Sequence, residues 1–230
     1  MLFVATLVLG ASALSEFLNM KAVLLDRDGV INPLVHHQDA GIVDAPFTRS
    51  QFELLPRVPS AIRLLNDLGL RVAIVSNQPG FAKGHLKRGM LKTFERMMIA
   101  GIRKEGGHID RIYYCLHHPE AKVAKLRQRC RCRKPEIGML EQAAADFQVS
   151  LSECYMIGDG IPDLLAGFRA GCRNIFVGRW KCEICQFTEA PNVRPVFVAK
   201  DLWEAAEFIR VETNGPHQTR LPSSCLLAQT

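Results

Sequence analysis

Residues 21–29 read KAVLLDRDG: four apolar residues, Ala22 to Leu25, run directly into a turn that carries Asp26, Asp28 and Gly29. A short apolar run without polar alternation is the mark of a strand buried on both faces, and such strands belong to parallel sheets covered by helices. Outward from it, the chain alternates short β-branched apolar runs with longer amphipathic ones as far as residue 210. Strands are expected at 22–25, 72–75, 112–114, 155–157, 175–177 and 196–198. Helices are expected at 58–68, 86–104, 139–147, 163–170 and 202–210, each with apolar residues at three- and four-residue spacing. The fold class is α/β, a Rossmann-like three-layer sandwich with a mainly parallel sheet.

The 230 residues can bury one full core, and 48% hydrophobic with 23% charged residues is ordinary for a soluble globular chain. A formal charge of +6 suits an anionic ligand, a nucleic acid or an acidic membrane surface alike and so selects none of them. Eight cysteines in a chain with this much core-forming sequence argue for a reducing, cytoplasmic setting and a metal site over a disulfide scaffold. Residues 1–19 are apolar but lack a basic leader and are interrupted by Gly10, Ser12 and Glu16, so they do not make a membrane span. An over-extended start before Met20, a docking helix and an export signal stay open for them. The single domain is expected to span residues 20–211, and the polar stretch 212–230 is expected to be a disordered tail.

Three of the expected strands end in polar loops: Leu25 in DRDG, Val75 in SNQPG and Ile157 in GDG. Loops at the carboxyl ends of parallel strands share one crevice. Asp26 and Asp28 put two carboxylates side by side there; alone, such a pair is most often a solvated turn. Its companions change the reading, because phosphoryl transfer needs a nucleophile, a proton-transfer group and a Mg²⁺ ion around one phosphate. Residues 26–57 and 105–138, rich in His, Pro, Arg and Cys, read as loops over the crevice with no room for a separate cap domain.

LLDRDGVIN, VSNQPG, CRCRKPEIGM and MIGDGIPDLLAG, in this order, resemble the four motifs of the haloacid dehalogenase-like phosphatases over residues 21–200. The resemblance implies that Asp26 attacks phosphorus to give an aspartyl-phosphate, and that Asp28 protonates the leaving oxygen and then activates water. It implies that Ser76 and the backbone of Asn77 bind the transferring group and that Lys134 supplies a fixed positive charge. Mg²⁺ would be held by Asp26, Asp159 and the backbone carbonyl of Asp28. For Asp163 two roles stay open: orienting a water on the metal, or capping the helix at Pro162.

Cys115, His117, Cys130 and Cys132 are one imidazole and three thiolates in a compact loop, enough for a closed tetrahedral Zn²⁺ site. Metal binding would supply the ordering energy of so polar a loop and fix the register of Arg133 and Lys134. CLHHPE…CRCRKPEIGM is similar to the zinc-containing heptose bisphosphate phosphatases and the related histidinol-phosphate phosphatases. That subfamily implies the same four ligands, without His118, and a substrate contact from Arg133. The chain departs from it twice: Gly160 stands where Lys often follows the metal-binding aspartate, and 33–49 carries His36 and His37 where a shorter Gly-Tyr loop is usual.

The reading is therefore a Mg²⁺-dependent phosphomonoester hydrolase, monomeric, acting on a small phosphorylated metabolite. The expected substrate is D-glycero-D-manno-heptose 1,7-bisphosphate, losing its 7-phosphate, with histidinol phosphate as the alternative. A zinc-containing nucleic-acid-binding module is the competitor from another class. It leaves Asp26, Asp28, Asp159 and Lys134 without purpose and lacks an aromatic basic stripe. Arg127, Arg129, Arg131 and Arg133 would draw phosphate in, Cys182 and Cys185 form an isolated CxxC, and His36 and His37 are expected to be exposed.

Overall fold

The computed structural model describes residues 21–87, 89–178 and 193–214. The leader 1–19, the Cys182–Cys185 pair and all but the start of the tail lie outside the described residues.

Six parallel strands form one sheet: β1 (Ala22–Leu25), β4 (Arg71–Asn77), β5 (Arg111–Cys115), β6 (Cys154–Gly158), β7 (Arg173–Val177) and β8 (Phe197–Ala199). The order is β5-β4-β1-β6-β7-β8, so β1 is central, in register with Arg71–Ile74 on one side and Cys154–Ile157 on the other. The chain leaves β1 for β4 and β5, then returns to β6 on the opposite side. That reversal makes the carboxyl end of β1 a topological switch point, where α/β proteins form a crevice.

All four β1 side chains are fully buried, as the unbroken apolar run predicts. Val23 and Leu25 enter a core shared with α1 (Val58–Asp67), α3 (Met90–Lys104) and α6 (Leu202–Thr213). Ala22 and Leu24 face the opposite core, against Met139, Leu140 and Ala143 of α4 (Gly138–Phe147) and Ala166 of α5 (Ile161–Ala170). Successive strand residues point to opposite faces, so one strand nucleates both helical layers. The expected three-layer sandwich is the observed architecture. Among the described residues, no helix is long and apolar enough to cross a membrane.

Several boundaries differ from expectation for local reasons. The helix expected at 86–104 begins at Met90, because Gly84 and Gly89 take left-handed backbone (φ 80° and 85°) and isolate the short α2 (Gly80–Lys83). α5 starts two residues early, at Ile161, with Pro162 in its first turn where the missing N–H costs nothing. The expected loop 26–57 contains a hairpin, β2 (Val35–His37) with β3 (Ile42–Asp44), turned at Gly41 with φ 62°. The tail boundary at 212 also moves, since α6 runs to Thr213. Glu212 there accepts from Tyr155 Oη at 2.6 Å and from Arg173 at 2.5 Å, and these two donors, one buried and one half-buried, give it reason to stay helical.

Candidate active site

Asp26 extends β1, its N–H donating to Ile157 O at 2.9 Å, which turns its carboxyl out at the switch point. Lys134 reaches the same place from the loop after β5, although it is 57 residues from Asn77 in sequence. Asn77 holds it there: Nδ2 donates to Lys134 O and Oδ1 accepts from Lys134 N, both at 3.0 Å. The Lys134 ammonium is 2% exposed, 3.0 Å from Asp26 Oδ1 and 2.5 Å from Asp163 Oδ1, and donates to Val75 O at 2.6 Å. Burial opposes its charge, but the Asp163 and Asp26 carboxylates outweigh this and hold its pKa above the usual lysine value. The expected contact from Asn77 was a backbone one; its side chain is committed to Lys134.

Asp159 and Asp163 complete the cluster, since carboxylate oxygens of Asp26, Asp159 and Asp163 lie within 4.8 Å of one another. Burial, then Asp163 and Asp26, push the Asp159 carboxyl up to about 8. Burial also raises Asp163, to about 6, with Lys134 working the other way. Three carboxylates facing one ammonium is a surplus of negative charge that a divalent cation would relieve. Asp26 Oδ1 is buried and is met by the Lys134 ammonium at 3.0 Å, an ion pair that leaves a second lone pair for such an ion. Two glycines make the crowding possible: a Cβ on Gly29 would overlap the Asp159 carboxylate, and one on Gly158 would overlap the Asp163 side chain. Both roles weighed for Asp163 touch observed contacts, because it also accepts from Gly160 N at 3.0 Å across the first turn of α5.

Asp28 is held apart from this cluster by side chains the sequence reading did not single out. Arg27 donates to both its oxygens, Asn32 to Oδ1 at 2.9 Å and Gln78 to Oδ2 at 2.5 Å. Gln78 also donates to Ser76 Oγ at 3.1 Å. The available signal was an arginine between two aspartates directly after a fully apolar strand, a place where a charged side chain must find a partner.

The Cys/His loop closes as its spacing predicts. The three sulfur atoms of Cys115, Cys130 and Cys132 are 3.3–3.5 Å apart, and His117 Nδ1 lies 3.8 Å from Cys115 Sγ and 3.4 Å from Cys132 Sγ. Ligands about 2.0–2.3 Å from one tetrahedral ion would be separated by about 3.3–3.8 Å, so this set can hold a metal ion. Burial pushes the Cys115 thiol up; it works against Cys130 too, but bonds from Cys132 and Cys115 hold that thiol below its usual value. The loop is pinned to the site: Gln78 N donates to Cys115 O at 2.7 Å, and Lys122 N and Val123 N both donate to Ala82 O.

Around the rim, Arg133 is half-buried and donates to His117 O at 3.3 Å. The expected arginine funnel is thinner than the sequence implies, because Arg127 donates inward to Ala121 O at 2.6 Å and Arg131 pairs with Glu141. His118 Nδ1 accepts from Glu120 N, a loop-packing role. His36 is exposed, but His37 is half-buried, stacked on Phe47 with centroids 3.7 Å apart and bonded to Ala45 O.

Fold and strand-end chemistry together define a phosphatase on an α/β sandwich with a parallel sheet. The HAD-hydrolase-like family model matches residues 131–205. The D-glycero-β-D-manno-heptose-1,7-bisphosphate 7-phosphatase of Haemophilus ducreyi is 35% identical over 154 residues, covering 66% of this chain and 80% of its own. Its counterpart in Escherichia coli K12 is also 35% identical, covering 66% and 75%. The structure of D,D-heptose 1,7-bisphosphate phosphatase from B. bronchiseptica, complexed with magnesium and phosphate, superposes with a TM-score of 0.67 at 30% identity, covering 83% of this chain and 98% of that one. The chain belongs to the HAD-like hydrolases and stands among their phosphatases.

Proposed function

We propose that this phosphatase removes the 7-phosphate of D-glycero-D-manno-heptose 1,7-bisphosphate with Asp26 as nucleophile. The observation that carries the reading is the contact of Lys134 with both Asp26 and Asp163 at the switch point, in a chain 35% identical to phosphatases named for that substrate.

An oxygen of Asp26 attacks phosphorus, and the bond to the sugar oxygen breaks with its electron pair. That oxygen takes a proton from the Asp28 carboxyl. Water then attacks the aspartyl-phosphate, giving its proton to Asp28 as the P–O bond to Asp26 breaks, and both carboxyl groups return to their starting state. Lys134 lowers the repulsion between a phosphate dianion and a carboxylate nucleophile, and Ser76 with the backbone of Asn77 holds the phosphoryl oxygens. Asp26, Asp159 and the carbonyl of Asp28 would hold Mg²⁺, with Asp163 close enough to orient a ligand water. The ion would supply charge neutralisation at the phosphoryl group. Cys115, His117, Cys130 and Cys132 would hold Zn²⁺, a structural ion that sets the position of Arg133 and Lys134. Arg133 would orient the substrate's other anionic group, for which a guanidinium fork is suited.

Phosphate release from heptose 1,7-bisphosphate, histidinol phosphate and nucleoside monophosphates, with Mg²⁺ and with EDTA, tests this. Heptose bisphosphate should give the highest kcat/KM by about tenfold or more, with EDTA abolishing turnover. A preference for histidinol phosphate would overturn the substrate, and activity undiminished by EDTA would overturn the Mg²⁺ site.

A further inference from the structure

Arg27 has no part in the steps above, yet it is one of the largest fully buried side chains in the protein, 1% exposed and adjacent to Asp26. A buried guanidinium is costly unless its donors are matched. Its Nη2 lies 2.8 Å from Asp28 Oδ1 and 3.0 Å from Oδ2, its Nε 3.2 Å from Oδ1, and Nη2 also donates to Gln78 Oε1 at 2.9 Å. Its Cζ lies over the Phe94 and Tyr114 rings, 5.7 Å from each centroid.

This fixes the amide of Gln78. Arginine offers only donors, so the Gln78 oxygen must face it and the Gln78 nitrogen must face Asp28 Oδ2 and Ser76 Oγ. Asn32 is fixed by the same reasoning. Its nitrogen lies between Asp28 Oδ1 at 2.9 Å and Pro33 O at 3.1 Å, and a carbonyl can only accept. Because Ser76 Oγ accepts from Gln78, the Ser76 hydrogen is left to donate elsewhere. One buried arginine therefore orders, through one amide, both the Asp28 carboxyl and the Ser76 hydroxyl.

We propose that Arg27 and Gln78 are positioning residues for the transfer reaction, holding the Asp28 carboxyl in the single orientation from which it serves the leaving oxygen and then the water. This rests on the reading of Asp28 as proton carrier. Losing the fork or the amide should leave the nucleophile in place while Asp28 is displaced.

The test separates the two steps by leaving group. Arg27→Lys keeps the charge and loses the fork; Gln78→Met is close in volume and carries the test should Arg27→Lys fail to fold. On heptose bisphosphate, whose alkoxide must be protonated as it leaves, kcat should fall by about tenfold to a hundredfold with KM within about twofold. On p-nitrophenyl phosphate, whose phenolate leaves without a proton, the variants should show a stoichiometric burst of nitrophenol, its first step close to the wild-type rate, followed by slow turnover as the aspartyl-phosphate waits for water. Equal slowing of the first step on both substrates, or unchanged kcat on heptose bisphosphate, overturns the positioning role. A wild type inactive on every phosphate ester would instead remove the phosphatase reading itself, whereas an active wild type with variants that do not split the substrates removes only this inference.

Discussion

Lys134 is placed so that its charge cannot be satisfied without Asp26 and Asp163, nor theirs without it. Asp26→Asn is nearly isosteric but is neither an anionic nucleophile nor a good Mg²⁺ ligand. Turnover should fall to background while circular dichroism and zinc content stay at wild-type values; more than a trace of Mg²⁺-dependent hydrolysis would remove Asp26 from its proposed role. Asp159 gives a prediction in pH. Burial and the neighbouring carboxylates raise it to about 8, so without metal the folded chain binds this proton more tightly than the unfolded chain does. Stability contributed by that bound proton is fully present below the unfolded carboxyl value of about 4 and is lost as pH rises toward 8. In EDTA, the Tm of the wild type should therefore fall between pH 5 and pH 8, and Asp159→Asn should flatten that fall, by on the order of 5 °C at the upper end. Thermal melts of both proteins across this range check it, parallel curves being the adverse result.

At the scale of elements, the Cys/His loop and the end of α6 each carry polar groups that fasten them to the sheet. Cys132→Ser should lower zinc content below one ion per chain and cut kcat by about tenfold or more, because Arg133 and Lys134 follow the lost ligand directly. Hydrogen exchange after chelation should rise across 116–133 before it rises in β1 or β4; simultaneous exchange would mean the loop is ordered without metal. Glu212→Ala removes the acceptor shared by Tyr155 and Arg173, at a cost of about 2 kcal/mol. An unchanged Tm would show those bonds to be exchanged for water without loss. The six strands and the sandwich were legible because β-branched runs and three- and four-residue spacing report burial directly. The hairpin at Val35–Asp44 was not, since its short strands are only half-buried and carry polar residues on the buried side, His37 among them. The gathering of Asp26 and Asp159 was legible from the strand ends, and that of Lys134 from the resemblance carried by CRCRKPEIGM. The collar around Asp28 was not, because a buried Arg–Gln–Asp network follows from no periodicity and becomes visible only when donors are matched to acceptors.

Seen as a whole molecule, the fold brings an acidic cluster and a rim gathered at the Cys/His set into one crevice at the centre of the sheet, without a second domain among the described residues. Selection among substrates therefore falls to rim residues. Gly160→Lys should raise kcat/KM on heptose bisphosphate more than on a simple monophosphate, and Arg133→Ala should lower it in the same selective way, by about tenfold. Kinetics on both substrates decide this, and an equal effect on the two would detach these positions from specificity. The glycines of this crevice differ in what they permit. Gly29 and Gly158 have no room for even a methyl group against Asp159 and Asp163, and Gly29 is left-handed besides, with φ 84°. Gly160 has extended backbone, φ −127°, and a Cβ there would meet its nearest neighbours at 3.3–3.4 Å. Over descent, then, the ground beneath the carboxylates is closed to drift by single substitutions, while the position directly beside Asp159 admits a side chain once Asp163 and Pro162 give by a few tenths of an ångström, so lineages sharing this chemistry can diverge in diet one residue away from it.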